Sequence, residues 1–330
     1  MPKPIAIAFS LTMIPKFLFW LAVLLIGGSH WLGFITPPVA LAMGLAFALA
    51  FKHPYRSEST TTVKWLLQAS VVGLGFGMNF TNVLQAGAKG FGFTVVSILG
   101  TLALGWLLGN LLGVGSKSSQ LISVGTAICG GSAIAAVAPI IEAEEAEISV
   151  ALGTVFVLNA LALFIFPALG TALGLTQEQF GLWAAIAIHD TSSVVGASAK
   201  FGAEALATAT AVKLSRALWI VPIALAAAFW MKRKRSFNTT NAPAKAVNLP
   251  YFVLFFIIAS LINTFVPGAS NLRVWLVPVA KTGLTLTLFL IGTGLSREML
   301  ASVGIKPMIQ GIVLWIAIST ASLFAIIHLL

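Results

Sequence analysis

The chain has 330 residues, of which 58% are hydrophobic and 8% charged, whereas soluble domains carry about a quarter charged residues. This composition excludes a soluble globular protein and predicts a membrane protein. A β-barrel is excluded too, because the apolar runs are continuous and lack the period-two alternation of barrel strands. The single cysteine, Cys129, excludes an intramolecular disulfide and a CxxC metal site. Basic cytoplasmic loops explain the net charge of +10, so no nucleic-acid partner is expected.

Eleven apolar runs follow one another along the chain, each about long enough for a helix that crosses a hydrocarbon core about 30 Å thick. They predict an all-α polytopic membrane protein with about 11 transmembrane helices in one domain, 1–330. The predicted spans are roughly 15–32, 35–51, 63–80, 92–114, 121–141, 148–171, 181–199, 203–231, 250–267, 273–296 and 306–330. A polar linker over 232–249, predicted to be cytoplasmic, separates the first eight spans from the last three.

The distribution of basic residues predicts the orientation. With a cytoplasmic N-terminus, most loop Lys and Arg residues, including Lys117, lie inside, and only Lys89, Lys200 and Arg273 lie outside. The acidic run Glu142–Glu147 then falls outside, where it would cap the N-terminus of span 6.

Two internal matches suggest inverted repeats, on which many transporters are built. A shift of 217 positions lays 74–84 over 291–301, so span 3 matches span 10, which runs in the opposite direction. A shift of 60 lays 127–136 over 187–196. Because spans 5 and 7 run in the same direction by the loop count, this second match requires chance similarity, a miscounted span or a re-entrant segment.

Small residues cluster in span 5, where GTAICGGS covers 125–132. Paired glycines weaken a helix and free backbone groups, which is tolerated at membrane depth where the backbone lines a cavity. We therefore predict a broken helix with Gly130, Gly131 and Ser132 as candidate substrate-binding residues. Close packing of two helices through a small-residue face is the alternative.

Five consecutive polar residues interrupt span 7, and ionisable residues inside a span mark substrate or ion sites. We expect this segment to bind substrate, with His189 or Asp190 as the coupling group. A protonated His189 would strengthen anion binding as the pH falls, and a structural pair between two helices is the alternative. The five residues are His189, Asp190, Thr191, Ser192 and Ser193.

Span 8 carries Lys213 and Arg216, which share one helical face because they are three residues apart. Together they would form an anion site, since Arg offers a planar fork to an oxyanion and Lys a point charge. Snorkelling of both long side chains to the surface is the alternative. Asn159 in span 6 is a further buried polar candidate with no distinguishing spacing. No GxSxG or HExxH motif is present, so an enzyme is not expected.

Three segments resemble the YeiH family of bacterial inner-membrane proteins, whose proposed activity is sulfate export, and the likeness covers nearly the whole chain. The wider similarity to bile-acid sodium symporters and cation/proton antiporters implies inverted repeats and a core domain that moves against a panel domain. It also implies two crossing broken helices, around Gly130 and Gly131 and around 189–193. The three segments are TAICGGSAIAA (126–136), AIHDTSSVVGASA (187–199) and VKLSRALWIVP (212–222).

These features together predict a secondary transporter of the bacterial inner membrane that moves a small anion, sulfate-like or an organic oxyanion, by alternating access. The alternatives are a sodium- or proton-coupled organic anion symporter and a non-transporting scaffold or receptor. No cofactor or metal is expected. The expected partners are the anionic substrate and membrane lipid, while the coupling ion, H⁺ or Na⁺, and the formation of a homodimer stay open.

Overall fold

The computed structural model describes residues 4–32, 35–235, 251–295 and 303–329, together with residues 297 and 301. All regular structure in these ranges is helical, which confirms the predicted fold class. The helices are α1 (Pro4–Leu32), α2 (Pro37–Ala50), α3 (Arg56–Gly75), α4 (Phe80–Leu112), α5 (Ser116–Ala127), α6 (Gly131–Val137), α7 (Glu145–Ala172), α8 (Gln177–Ala187), α9 (Thr191–Phe201), α10 (Ala203–Ala217), α11 (Ile220–Arg235), α12 (Tyr251–Phe265), α13 (Ser270–Gly294) and α14 (Ile305–Leu329).

Several helices match the bilayer in length and composition. Five segments of the described chain are long and apolar enough to cross a membrane, and shorter apolar helices occur within α1, α2 and α12. The chain is therefore a multi-pass membrane protein. The five long segments are Gly90–Leu112, Glu145–Ala172, Ala203–Met231, Asn271–Gly294 and Ile305–His328.

The predicted linker over 232–249 begins inside a helix. Residues 232–235 form the last turn of α11, and residues 236–249 lie outside the described part of the chain.

The chain divides into two compact units. Unit 1 consists of Met1–Gly77 and Phe256–Glu298, and unit 2 of Met78–Phe255 and Met299–Leu330. The core of unit 1 contains Phe19, Phe47 and Phe289, and the ring of Phe19 contacts the rings of the other two.

Helices α3 and α13 of unit 1 pack in opposite directions. Gly73 lies against Ala280, whereas Ser70, one turn earlier in α3, lies against Gly283, one turn later in α13. The match at a shift of 217 positions requires this antiparallel arrangement. Descent of the two helices from an internal repeat stays a prediction.

In unit 2, α5 and α6 form a hairpin. Lys117, in the first turn of α5, donates a hydrogen bond to the carbonyl oxygen of Glu142 at 2.6 Å, and its Nζ lies 3.9 Å from the Glu147 carboxylate. Closer to the turn, Gly125 of α5 packs against Ile134 of α6. Because both ends of the segment meet, the chain must reverse at residues 128–130.

The α8–α9 segment is a second hairpin. The rings of Phe180, near the start of α8, and Phe201, at the end of α9, stack with centroids 3.8 Å apart. The Gln177 side chain accepts a hydrogen bond from the Glu204 amide at 3.0 Å, so α10 begins where α8 began. The reversal falls at residues 188–190, between the two helices.

Helix α7 shows how the two hairpins are arranged. It has 28 residues and is therefore about 42 Å long. Its N-terminal turn, which contains Glu147, lies at the open end of the α5–α6 hairpin, whereas Gly170 packs against Phe180 and Phe201 at the open end of the α8–α9 hairpin. The hairpins therefore open toward opposite ends of α7.

This arrangement corrects two predictions. Predicted spans 5 and 7 are broken, as expected. Neither passes from one end of α7 to the other, however, because each forms a hairpin that returns to the end at which it entered. The directional conflict in the match at a shift of 60 disappears, since both segments are re-entrant. The acidic run does cap α7, where Glu144 and Glu147 form a capping box. However, it lies at the same end as Lys117, so placing the two on opposite sides was wrong.

Candidate functional site

The tips of the two hairpins meet. A Cβ atom on Gly130 would lie 3.4 Å from the His189 carbonyl oxygen, 3.6 Å from the Asp190 Cα and 3.4 Å from Val155 of α7. Gly130 also has φ +65° and ψ −125°, a conformation that favours glycine. Glycine therefore lets the chain reverse here through its positive φ, while its distances to the other tip are those of ordinary van der Waals contact. This confirms that the two interrupted segments lie together.

Asp190 caps the N-terminus of α9 through a local network of hydrogen bonds. As the N-cap, it accepts hydrogen bonds at Oδ2 from the Ser193 amide at 3.1 Å and the Ser193 hydroxyl at 3.3 Å. The Ser192 hydroxyl donates to the same oxygen. Capping compensates amides at a helix N-terminus that have no intrahelical acceptor. Asp190, Ser192 and Ser193 thus shape the tip of the α8–α9 hairpin.

Asn159 of α7 also binds the tip of the α8–α9 hairpin. Its Oδ1 accepts hydrogen bonds from the amides of His189, at 2.9 Å, and Asp190, at 3.3 Å. These amides lie in the break between α8 and α9, where helical acceptors are missing. Sequence reasoning identified Asn159 as polar and buried but could not assign it this role.

Lys213 and Arg216 of α10 are both fully buried, so the snorkelling alternative is wrong. Lys213 Nζ donates to the carbonyl oxygens of Ala185, at 3.2 Å, and Ile188, at 2.8 Å. These carbonyls lie at the C-terminal end of α8. A cation at this position compensates both the unpaired carbonyls and the negative end of the helix dipole.

Arg216 binds a carbonyl oxygen at the C-terminal end of α5, as Lys213 does at the end of α8. Its Nη2 donates to the carbonyl oxygen of Ala127, the last residue of α5, and its Nη1 donates to the Ser97 hydroxyl of α4 at 2.7 Å. The two cations share a face of α10, as predicted, but each binds a different hairpin. One helix therefore supplies a positive charge to both tips.

Asp190 is the acidic side chain of the described residues that acts on Lys213, and one carboxylate offsets at most one of the two positive charges on this face. Neither cation forms an ion pair with a carboxylate of the described residues, and the oxygen Asp190 Oδ2 is engaged by Ser192 and Ser193. A guanidinium keeps its proton in proteins. A buried positive charge without a counter-ion is costly at membrane depth, so an anion that reached this point would be stabilised.

Several buried polar atoms around the tips have no hydrogen-bond partner within the described part of the protein. Most buried polar groups in native proteins are paired, so such a concentration identifies a candidate ligand site. They offer N–H and O–H donors, as an oxyanion requires. The atoms are Arg216 Nε, both ring nitrogens of His189, Asn159 Nδ2 and Thr126 Oγ1.

The predicted site residues differ in what they contribute. The structure brings Gly130, His189 and Asp190 together with Lys213 and Arg216, as the contacts above show. Gly131 begins α6, and Ser132 beside it is exposed rather than part of the buried cluster. Thr191, Ser192 and Ser193 are buried in the first turn of α9.

Sequence reasoning missed Ser97 and Thr126. Ser97 binds Arg216, and Thr126 precedes the carbonyl that Arg216 caps. A hydroxyl in an apolar helix is common, so neither residue carried a signal that could have separated it from the other serines and threonines of the chain.

Comparison with known proteins gives a family without an assigned activity. Residues 12–311 match the family model described as "Conserved hypothetical protein 698". A UPF0324 membrane protein of Bacteroides thetaiotaomicron is 51% identical over 299 residues, covering 90% of this chain and 88% of that protein. A UPF0324 membrane protein of Bdellovibrio bacteriovorus is 46% identical over 327 residues, covering 99% and 98%.

A further UPF0324 membrane protein, from Porphyromonas gingivalis, is 55% identical over 292 residues, covering 88% of this chain and 86% of that protein. No solved structure matches the chain. The names of these relatives state that they are membrane proteins and name no substrate.

Proposed function

The chain belongs to the YeiH/UPF0324 family of membrane proteins, and from this premise we propose that it is a secondary transporter that carries a small anion across the bacterial inner membrane. The observation that carries the proposal is the pair of fully buried cations, Lys213 and Arg216, at the point where two hairpin tips meet. Broken helices with their ends at the membrane midplane are the usual construction of transporter substrate sites.

Anion binding follows from the charges at the tips. Each cation compensates the C-terminal carbonyls of one half-helix, which uses part of its hydrogen-bonding capacity, and neither cation forms an ion pair with a carboxylate in the described part of the chain. The unpartnered Arg216 Nε, Asn159 Nδ2 and Thr126 hydroxyl add donors. An anion that accepts from these groups would recover hydrogen bonds that are otherwise missing, and such bonds to a charged group are about twice as strong as neutral ones.

Alternating access follows from the two opposite hairpins. The hairpins open toward opposite ends of α7. Each hairpin therefore lies between the candidate site and a different side of the membrane. All residues of the candidate site belong to unit 2, so a movement of that unit would carry the site intact. This is the motion of two helical subdomains that the sequence predicts.

His189 is the proposed coupling residue. It is fully buried, and neither ring nitrogen has a hydrogen-bond partner among the described residues, whereas Asp190 is engaged as a helix cap. An imidazole that gains a proton together with the anion would carry H⁺ with the substrate. If so, His189→Gln should remove the dependence of flux on a pH gradient while flux driven by the anion gradient continues. An unchanged pH dependence would exclude His189 as the coupling residue.

Flux into proteoliposomes tests the proposed function. The panel contains sulfate, phosphate, acetate and hexanoate, each measured with and without gradients of pH and sodium. We expect saturable uptake of at least one anion by the wild type, a loss of at least tenfold in Arg216→Gln, and wild-type uptake in the control Arg273→Gln, since Arg273 is exposed in unit 1.

Other outcomes contradict parts of the proposal. Uptake equal to that of protein-free liposomes for every anion would overturn transport of these anions and favour a scaffold or receptor. Strict dependence on sodium at every pH would favour the sodium symporter and exclude proton coupling through His189.

A further inference from the structure

Unit 2 contains a cavity of about 300 Å³, open to the outer surface where its lining residues Val96 and Gly100 are exposed, that the anion site described above does not explain. Its walls come from α4, from α14 and from Ile186 of α8, and its lining is almost entirely apolar. Its volume is at the small end of ordinary ligand pockets, which measure about 300–1,000 Å³. Apolar residues on the three walls include Phe93, Leu104, Ile186, Leu314 and Ile318.

One wall of the cavity adjoins Arg216. Ser97 lines the cavity, and this hydroxyl accepts the hydrogen bond from Arg216 Nη1 at 2.7 Å while donating its own proton to the Thr94 carbonyl oxygen at 3.0 Å. Ile186, on the α8 wall, lies two residues before Ile188, whose carbonyl oxygen binds Lys213. The Ser97 side chain therefore separates the apolar space from Arg216.

We propose that this cavity holds the apolar tail of an amphipathic organic anion whose acidic head group lies at the hairpin tips. The inference rests on the proposed anion transport and narrows its substrate class. Charge complementarity favours an anionic head group, because the tips hold two cations and a single carboxylate, that of Asp190, whose Oδ2 already accepts from Ser192 and Ser193. The apolar lining selects a hydrocarbon tail, since an inorganic oxyanion such as sulfate would leave these walls without contacts.

Gly100 provides a specific perturbation. It lines the cavity, and a Cβ atom added to it would meet nothing within 4 Å, so Gly100→Leu fills space without disturbing neighbouring backbone. Gly92, on the same helix, is the matched control, since it is equally open but does not line the cavity. Both substitutions replace a helical glycine by a good helix former, so both proteins should fold.

The experiment is a calorimetric titration of the protein in lipid nanodiscs, with empty nanodiscs subtracted. The probes are sulfate, acetate, butyrate, hexanoate and octanoate, together with the corresponding 1-alkanols. We expect the Kd of the carboxylates to fall about fourfold for each added methylene that is buried, the fold-change corresponding to about 0.8 kcal/mol. Gly100→Leu should abolish this dependence and leave the acetate Kd within about twofold, whereas Gly92→Leu should match the wild type.

The outcomes separate the inference from the proposed function. Binding of sulfate or acetate without any gain from longer chains would overturn the tail pocket and leave the anion site standing. Equal affinity for alkanols and carboxylates, or equal effects of Gly92→Leu and Gly100→Leu, would show that the cavity accepts lipid-like chains without reference to the cations, and would also overturn it. Failure of every anion to bind would overturn both proposals.

Discussion

Arg216→Lys tests how the tip of the α5–α6 hairpin is held, because it keeps the positive charge and removes the planar guanidinium group. The guanidinium joins α4 to the α5–α6 hairpin through two bonds, to Ser97 and to the Ala127 carbonyl oxygen. A shorter ammonium group cannot span both partners in this geometry. Hydrogen bonds from charged groups contribute about 1.5–3 kcal/mol each, so loss of one should make local opening of the tip about 10- to 150-fold more frequent.

Hydrogen exchange followed by mass spectrometry measures this opening directly. Amides of 124–134 should exchange about 10- to 150-fold faster in Arg216→Lys, while those of 184–194 should keep wild-type rates because Lys213 still caps α8. Arg273→Lys, at an exposed position, serves as the control. Unchanged exchange over 124–134, or acceleration confined to the α8–α9 hairpin, would refute the assignment of Arg216 to the first tip.

Substitutions at three further positions test the tips. Gly130→Ala should lower the free energy of unfolding by about 1–3 kcal/mol because its φ is +65°; a melting temperature equal to that of Gly92→Ala, a change in open space, would contradict this. Asn159→Leu should expose the amides of His189 and Asp190 to faster exchange, since each orphaned buried amide costs about 1–3 kcal/mol; wild-type protection there would show that another group holds the tip. Asp190→Ala should destabilise α9 by about 0.5–2 kcal/mol, whereas Asp190→Asn should retain most of the cap; similar melting temperatures for the two variants would argue against capping.

Much of the fold could be predicted because its signals are local. Apolar runs gave helices at nearly every expected position, and the paired glycines at 130–131 and the polar run at 189–193 located both breaks. Each of these features disrupts a helix through the residues at that place, without reference to the remainder of the chain.

Whether a broken segment crosses or reverses could not be predicted. A hairpin and a continuous crossing contain equally apolar residues, and the difference lies in contacts between distant positions. Lys117 meets Glu142 and Phe180 meets Phe201, and no pattern within either segment encodes these pairs. The match at a shift of 60 pointed to the conflict and could not resolve it.

The roles of the buried cations were also only partly predictable. Burial and a shared face follow from spacing in an apolar helix, and both are confirmed for Lys213 and Arg216. Their partners are backbone carbonyls of Ala185, Ile188 and Ala127, and a carbonyl has no sequence signature. The sequence therefore identified the cations but not the half-helix ends that they stabilise.

The central claim is that the meeting point of the two hairpins binds an anion through the charge of Arg216. The most direct measurement is an equilibrium titration of purified protein with sulfate, acetate and hexanoate, comparing wild type, Arg216→Gln and the exposed control Arg273→Gln. We expect saturable binding of at least one anion by the wild type and by Arg273→Gln. Affinity should be at least tenfold weaker in Arg216→Gln, since truncating one member of a buried charged contact costs about 2–5 kcal/mol. Equal affinities for that anion in all three proteins, with Arg216→Gln shown to be folded, would contradict the claim.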